Sequence, residues 1–350
     1  MPLLQPTQAN QNSSGSAIRE ELADYIAIVD AKSTPFVSQA PKGRDLGNVR
    51  FDWQVDSYAA PILAGVVDGT DVTVASASNP VLNRARQSNY AQAFRRDLRI
   101  GFIAETQNVA GVTDELANGI SKKLIEIKRD MESTFLCTNQ AAQADNGTTN
   151  AYLTSSLGNW LTGTPASGSV GLPATYSGAV SSVTSAALTE SSVQDVLTAI
   201  YGATGVFRSY DCILGTTLKR AFTNLTAGST SVTLNSNTIA ATAVRTFNQD
   251  LSSDTFKSSI DIFTGDFGTL LLSPTTFLGS RNTGTSPVSL SNQAFKGYVI
   301  PMDMVEIRYC KLPEVKDLPD AGGGPARLVQ TIAGLVVKNA QGFGMFNGAS

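Results

Sequence analysis

One segment, Thr113–Leu136, constrains this chain more than any other. Leu116, Ile120, Leu124, Ile127, Met131 and Phe135 recur at steps of three and four. That spacing lays one apolar stripe along a helix of period 3.6. Thr113 stands at the N-cap, and Asp114 and Glu115 sit where the helix dipole favours negative charge. Lys122, Lys123, Glu126, Lys128, Arg129, Asp130 and Glu132 read as the solvated face. At ~1.5 Å per residue the helix is about 35 Å long. Most of the remaining chain reads as strand or as Ser/Thr/Gly-rich loop, so this helix is a spine laid across sheet rather than a member of a bundle.

The chain has 350 residues, more than one hydrophobic core of roughly 250–300 residues accommodates, which favours two lobes. Charged residues make up 16%, against a usual ~25%, and Ser, Thr, Asn, Gln and Ala fill the gap. The net charge of −3 argues against a nucleic-acid grip built on counterion release. Histidine is absent, which removes the commonest general base, metal ligand and pH switch together. Cys137, Cys212 and Cys310 are scattered and odd in number, a pattern of reduced thiols with no metal-ligand pairing. The first residues lack the basic start and apolar run of a signal peptide, and no apolar stretch approaches the ~20 residues of a membrane span.

Along the chain, residues 1–16 are polar, and Ala17–Val29 carries the stripe Ile18, Leu22, Ile26 and Val29 of a short helix. Pro35 and Pro41 then keep residues 30–48 extended, as an arm with little core of its own. Arg50–Tyr58 (RFDWQVDSY) alternates Phe51, Trp53 and Val55 with Asp52, Gln54 and Asp56, which marks a half-buried strand. An excursion follows from Ala59 to about Leu82, with short strands expected at 66–67 and 72–74, and the chain returns through Tyr90–Ile103. The whole of 50–103 reads as a two-stranded projection. A hairpin that long is marginal alone in water, so it must lie on something else, and a neighbouring subunit is the economical support.

Residues 138–188, with Trp160 as their one large anchor, read as a partly ordered polar surface insertion. Helices are expected at Thr189–Tyr201 and Thr217–Leu225, and strands at Tyr210–Leu214, Ser259–Phe263 and Leu270–Leu272, with a polar loop or hairpin over Ala227–Thr238. This alternation makes a compact α/β lobe over about 190–300. Met304–Tyr309 and Leu328–Lys338 are two further strands, separated by a long loop containing Pro313, Pro319, Gly322–Gly324 and Pro325.

No catalytic constellation assembles from these residues. Asp266-Phe267-Gly268 matches a kinase tripeptide but lacks a catalytic loop, and reads as a turn between strands. Gly322–Gly324 has no following Lys-Ser/Thr and reads as a loop tip rather than a phosphate cradle. No triad is available without histidine, and no carboxylates stand at calcium-loop spacing. The one basic concentration is Arg84, Arg86, Arg95, Arg96 and Arg99. It is open to three readings: contact with acidic patches on neighbours, DNA on an inner surface, or a solvated strand face.

The order of parts resembles the HK97 fold of tailed-phage major capsid proteins, and within it the SU10-type major capsid family. AIREELADYIAIVDAKSTPF resembles that family's N-terminal helix and Thr-Pro-Phe arm, RFDWQVDSY its aromatic first strand, and EIKRDMESTFL its spine-helix signature. LGNWL, TESSVQDVLTAIY, LGTTLKRAF and TGDFGTLLL follow in the family's order, and the likeness covers roughly 17–346. The resemblance implies an α+β fold with an N-terminal arm at 1–48 and an extended β projection (E-loop) at 49–104. It implies a peripheral domain from 105–189 and 301–350, with spine helix 113–137 and polar insertion 138–188, and an axial domain at 190–300. The loop Lys311–Arg327 would be the peripheral loop near local threefold axes.

It further implies a non-enzymatic shell protein without cofactor or metal, closing with copies of itself into pentamers and hexamers around double-stranded DNA held non-specifically. Portal, scaffolding and decoration proteins would be its other partners, with no membrane involved, in a virion assembled in the bacterial cytoplasm. Candidate subunit-interface residues are Phe51, Trp53, Val55, Arg84, Arg86, Arg95, Arg96, Arg99, Glu314, Asp317 and Asp320. Some shells of this fold are fused by isopeptide bonds from a projection lysine to a neighbour's asparagine. No lysine occurs between Lys42 and Lys122, so a non-covalent shell is expected. No long helical extension precedes the arm, so scaffolding is expected from a separate protein or from a segment outside this chain. The alternatives are an encapsulin-like compartment and a β-rich tail or surface protein; a hydrolase is weaker, because the residues for it are missing.

Overall fold

The structure is a computed structural model that describes residues 32–56, 58, 61, 63–71, 85–106, 114–162, 177–184, 187–225, 229–234, 237–242, 260–281, 290–320 and 322–348. The helix expected at 17–29, the strand expected at 72–74 and Arg84 lie outside the described residues. The elements run α1 (Pro35–Gln39), β1 (Arg50–Val55), β2 (Ala85–Tyr90), β3 (Gln92–Arg99), α2 (Phe102–Thr106), α3 (Glu115–Phe135) and α4 (Leu157–Leu161). They continue with β4 (Ala179–Ser181), α5 (Glu190–Thr204), β5 (Arg208–Leu214), α6 (Thr216–Leu225), β6 (Ser229–Leu234), β7 (Asn237–Thr242), β8 (Ile262–Gly265) and β9 (Gly268–Pro274). The last are β10 (Gly279–Arg281), β11 (Leu290–Asn292), β12 (Gly297–Ile300), β13 (Val305–Leu318), β14 (Ala326–Val337) and β15 (Gly344–Phe346).

The spine is α3. Its N-cap is Asp114, not Thr113: the Asp114 carboxylate accepts from the amides of Leu116 and Ala117. The stripe is buried only toward the C-terminal end, at Ile127, Met131 and Phe135, whereas Leu116, Ile120 and Leu124 are half-buried. Beneath it lies a three-stranded antiparallel sheet in the order β13-β14-β3. Phe94 of β3 meets Phe135 edge-on, with ring centroids 6.1 Å apart, which locks sheet to helix. β3 therefore belongs to the body. The expectation that all of 50–103 projects is corrected: the described stem of the projection is β1 paired with β2, from Arg50↔Tyr90 to Val55↔Ala85.

Two further expectations change here. The long loop between the last strands is mostly a hairpin, because β13 and β14 pair from Val305↔Val337 to Leu318↔Ala326. Pro313, which has no amide to donate, sits at the register shift between Lys311 and Glu314, where a bulge tolerates it. The segment taken for a surface insertion is interior over 154–161: Thr154, Ser155, Ser156, Leu157, Trp160 and Leu161 are buried. Its hydroxyls and amides are hydrogen-bonded rather than wet. Ser156 caps α4 through the Asn159 amide, and Gln140 donates to the Thr154 carbonyl at 2.8 Å.

A second apolar core is built on a six-stranded mixed sheet in the order β4-β15-β12-β5-β9-β8. Val193, Val196, Leu197 and Ile200 of α5 supply its helical stripe. Thr189 and Ser192 close a capping box at the start of α5, and Gly205 ends it in the left-handed region at φ 66°. This core reaches beyond 190–300, because Phe346 of β15 is one of its members and Ala179 of β4 packs against it. In the stretch where a polar loop or hairpin is expected over Ala227–Thr238, β6 and β7 pair antiparallel from Ser229↔Thr242 to Leu234↔Asn237.

Candidate assembly surfaces

The projection stem, β3 and the β13–β14 hairpin carry every described candidate residue. The aromatic pair of β1 is turned inward. Phe51 is 6% exposed and packs with Ala91 and Val336. A Cβ on Gly334 would come within 2.7 Å of the Phe51 ring Cζ, so glycine there gives the ring its seat. Trp53 stacks on Phe51 at 6.0 Å, lies 5.4 Å from the Trp160 ring, and donates its indole N–H to the Val337 carbonyl at 3.1 Å. Phe51 and Trp53 thus anchor the stem on its own body. Val55, at the distal end of the stem, is half-buried.

The same stem is held from the β2 side by a polar pin. Asn89 is fully buried. Its amide donates to the Leu335 carbonyl at 2.7 Å and to the Thr154 hydroxyl at 3.2 Å, and its carbonyl accepts from the Ser155 amide at 2.8 Å. Farther out, the picture reverses. Tyr58, Leu63, Val66 and Val67 are 77–102% exposed. The stem is thus tied to the body, while the residues beyond it present apolar side chains to solvent.

The arginines find their carboxylates at home. Arg86 pairs across the stem with Asp52. Arg96 makes a two-point contact with Asp130 of the spine, both N–O distances being 2.7 Å, and that bond holds its guanidinium above its ordinary pKa. Arg99 stands 3.8 Å from Asp320, whose Oδ1 also accepts the amides of Gly322, Gly323 and Gly324 and so shapes the hairpin tip. Arg86, Arg96 and Arg99 thus have acidic partners, Asp52, Asp130 and Asp320, within their own chain. Arg95 alternates with Phe94 and Arg96, so it projects from the sheet face opposite the spine and is exposed.

On the hairpin, Glu314 bonds Lys311 and Gln330, and the Lys311 bond holds it below the usual carboxylate range. Asp317 pairs with Arg327 at 2.9 Å and remains 78% exposed.

The arm is seated more firmly than its two prolines suggested. Phe36 is fully buried against Phe135, and residues 41–46 run along β13. Gly43 and Leu46 donate to the Ile307 and Tyr309 carbonyls at 3.0 and 2.9 Å, and Ile307 donates back to Pro41. Glu132, read as solvated, is instead fully buried beneath the arm. Its carboxylate accepts from the Phe36 and Val37 amides at 3.0 and 2.7 Å. The sequence does hold a clue: an acidic residue in the last turn of a helix opposes the dipole and so needs a specific reason. Among the described residues no cluster of His, Cys, Asp and Glu could hold a metal ion.

The model of the SU10 major capsid protein family matches residues 5–350. The major capsid protein of Escherichia phage Phieco32 is 31% identical over 117 residues, which are 33% of this chain and 31% of that protein; the match spans about a third of the relative's length. Solved structures match over nearly the whole chain. The capsid of the native GTA particle does so at TM-score 0.56 and 12% identity, covering 99% of this chain and 100% of the other. The capsid of Cyanophage P-SCSP1u matches at 0.54 and 12% over 100% of both chains. The capsid of Myoviridae Phage XM1 matches at 0.54 and 13%, over 96% of this chain and 100% of that one. At these identities the structural likeness is one of fold, the α+β HK97-like capsid fold.

Proposed function

Because the chain belongs to the SU10 major capsid protein family, we propose that it closes with copies of itself into the pentamers and hexamers of an icosahedral phage shell. The observation that carries this reading is the contrast within the projection. Phe51, Trp53 and Asn89 root its base, while Tyr58, Leu63, Val66 and Val67 stand bare beyond it. Exposed apolar residues grouped on a rooted ribbon mark a contact surface rather than a free loop. In a ring, each subunit's projection meets the next subunit by the same heterologous contact, which closes after five or six copies. Individual contacts stay modest, because a subunit held on every side gains from multivalency.

In this assembly the peripheral domain is the spine with β3, β13 and β14. The axial domain is 190–300 together with β4 and β15, whose residues join its core and sheet. Val55, Arg95, Glu314, Asp317 and the hairpin tip around Asp320 are further interface candidates. The projection from residue 51 to residue 83 contains Asp52, Asp56, Asp68 and Asp71 and no basic residue, so it fits a neighbour by apolar contact and by an electropositive seat. Double-stranded DNA is the enclosed cargo, held without sequence preference, with portal, scaffolding and decoration proteins as partners and the host cytoplasm as the place of assembly. No catalytic step belongs to this role.

Negative-stain microscopy and particle-mass measurement of the purified chain test the reading. Closed shells or capsomer rings are expected, and a folded monomer persisting at millimolar concentration refutes it. A packaged enzyme inside isolated particles would favour the encapsulin-like alternative, which the comparisons do not favour.

A further inference from the structure

Glu132 is a carboxylate placed where little stabilises its charge. It sits in the last turn of the spine helix, fully buried, at the negative end of the helix dipole. Among the described residues it forms no ion pair; its two partners are the Phe36 and Val37 amides. Segment 35–39 brings no titratable side chain to it. From β3, Arg96 is committed to Asp130; from β14, Arg327 is committed to Asp317. On the spine itself Lys128 is exposed, and Arg129 lies over the Phe277 ring at 5.1 Å. Phe36 closes the site as a plug, edge-on to Phe135 at 6.3 Å.

We propose that Glu132 is a proton-linked clasp which sets whether the N-terminal arm is seated on its own subunit or released from it. The seated arm removes the carboxyl from water and gives it two N–H donors in return. Burial pushes Glu132 up to about 7 from an ordinary 4.5, the bonds from Val37 and Phe36 opposing that rise only in part. Releasing the arm restores water and returns the group toward 4.5, so seating takes up a proton. Seating is therefore at full strength below about 4.5, and it weakens as pH rises until the buried carboxyl has ionised above about 7. The separation of roughly 2.5 pKa units caps the change in the seating constant at about 300-fold. At neutral pH the clasp stands mid-titration, where small changes in its surroundings move the arm most. The buried amides of Phe36 and Val37 report arm seating whether or not shells form, so this test is separable from the assembly reading.

Amide hydrogen exchange on the full chain as dissociated subunits, from pH 5.5 to 8.5 with intrinsic rates divided out, reads the clasp directly. The protection factors of Phe36 and Val37 are expected to fall by one to two orders of magnitude across the range, while the β5 amides keep theirs. Glu132→Gln is expected to give a flat profile. Wild-type protection constant within twofold across the range overturns the proposal, with or without a folded variant. So does a parallel loss in β5, which would report global unfolding, or a Glu132→Gln profile that tracks the wild type.

Discussion

Replacing Asn89 by leucine keeps the approximate volume of the side chain and removes every hydrogen bond it makes. The Ser155 amide, which donates to Asn89 at 2.8 Å, loses its acceptor in a residue with no solvent exposure. The Leu335 carbonyl loses a 2.7 Å donor, and the part-buried Tyr90 amide loses the acceptor it had at 2.8 Å. A buried group left without a partner costs about 1–3 kcal/mol, so two or three of them sum to about 3–5 kcal/mol. Against a typical domain stability of about 5–15 kcal/mol, that is a large fraction from one side chain. Urea unfolding of dissociated subunits should show the loss as a lower midpoint at unchanged slope. Hydrogen exchange should localise the first opening to 85–91 and 153–156. A loss below about 1 kcal/mol, or an unchanged exchange pattern at the stem, would show that water replaces these bonds freely and that the pin does not hold the projection.

Gly158→Ala should destabilise by about 1–3 kcal/mol, since the new Cβ would stand 2.6 Å from both Cα and O of Thr138, and backbone atoms cannot rotate away; thermal melts against wild type check it. Cys212 is fully buried, and burial pushes its thiol well above the ordinary value, so iodoacetamide should label partly exposed Cys310 first and reach Cys212 only on unfolding. Mass spectrometry of folded and denatured subunits reads that order. Purified particles boiled in denaturant should run as a single monomer band, because the projection holds no lysine for an isopeptide bond; a ladder of oligomers contradicts this.

Periodic elements were legible in the residues, and their burial was not. The stripe of α3 and the capped stripe of α5 follow from spacing alone, because a helix folds one face together whatever it packs on. Which end of the α3 stripe is covered depends on Phe94 and Phe36, which arrive from 41 and 99 positions away from Phe135 and leave no trace in local sequence. Glu132 was misassigned for the same reason: the segment that buries it lies 95 and 96 residues earlier in the chain. Alternation in RFDWQVDSY located a half-buried strand but could not say that Phe51 and Trp53 face their own body, since periodicity names a face and not its cover. The arginines illustrate the limit for charge. Their clustering in sequence suggested one surface, yet strand alternation sends Arg96 to the spine and Arg95 to the opposite side, while Arg99 reaches the hairpin tip.

The hydroxyl-rich stretch Thr154–Ser156 has the look of expendable filler, and its position beneath the projection gives it the opposite standing. Deep mutational scanning of 138–162 should find a narrow intolerant island at 154–161, flanked by permissive positions at 144–151, which are largely exposed. A peptide tag inserted near Gly147 should be carried without harm, and the same tag a few positions later should prevent folding. Engineered display on this protein has its safe address within ten residues of its most fragile one.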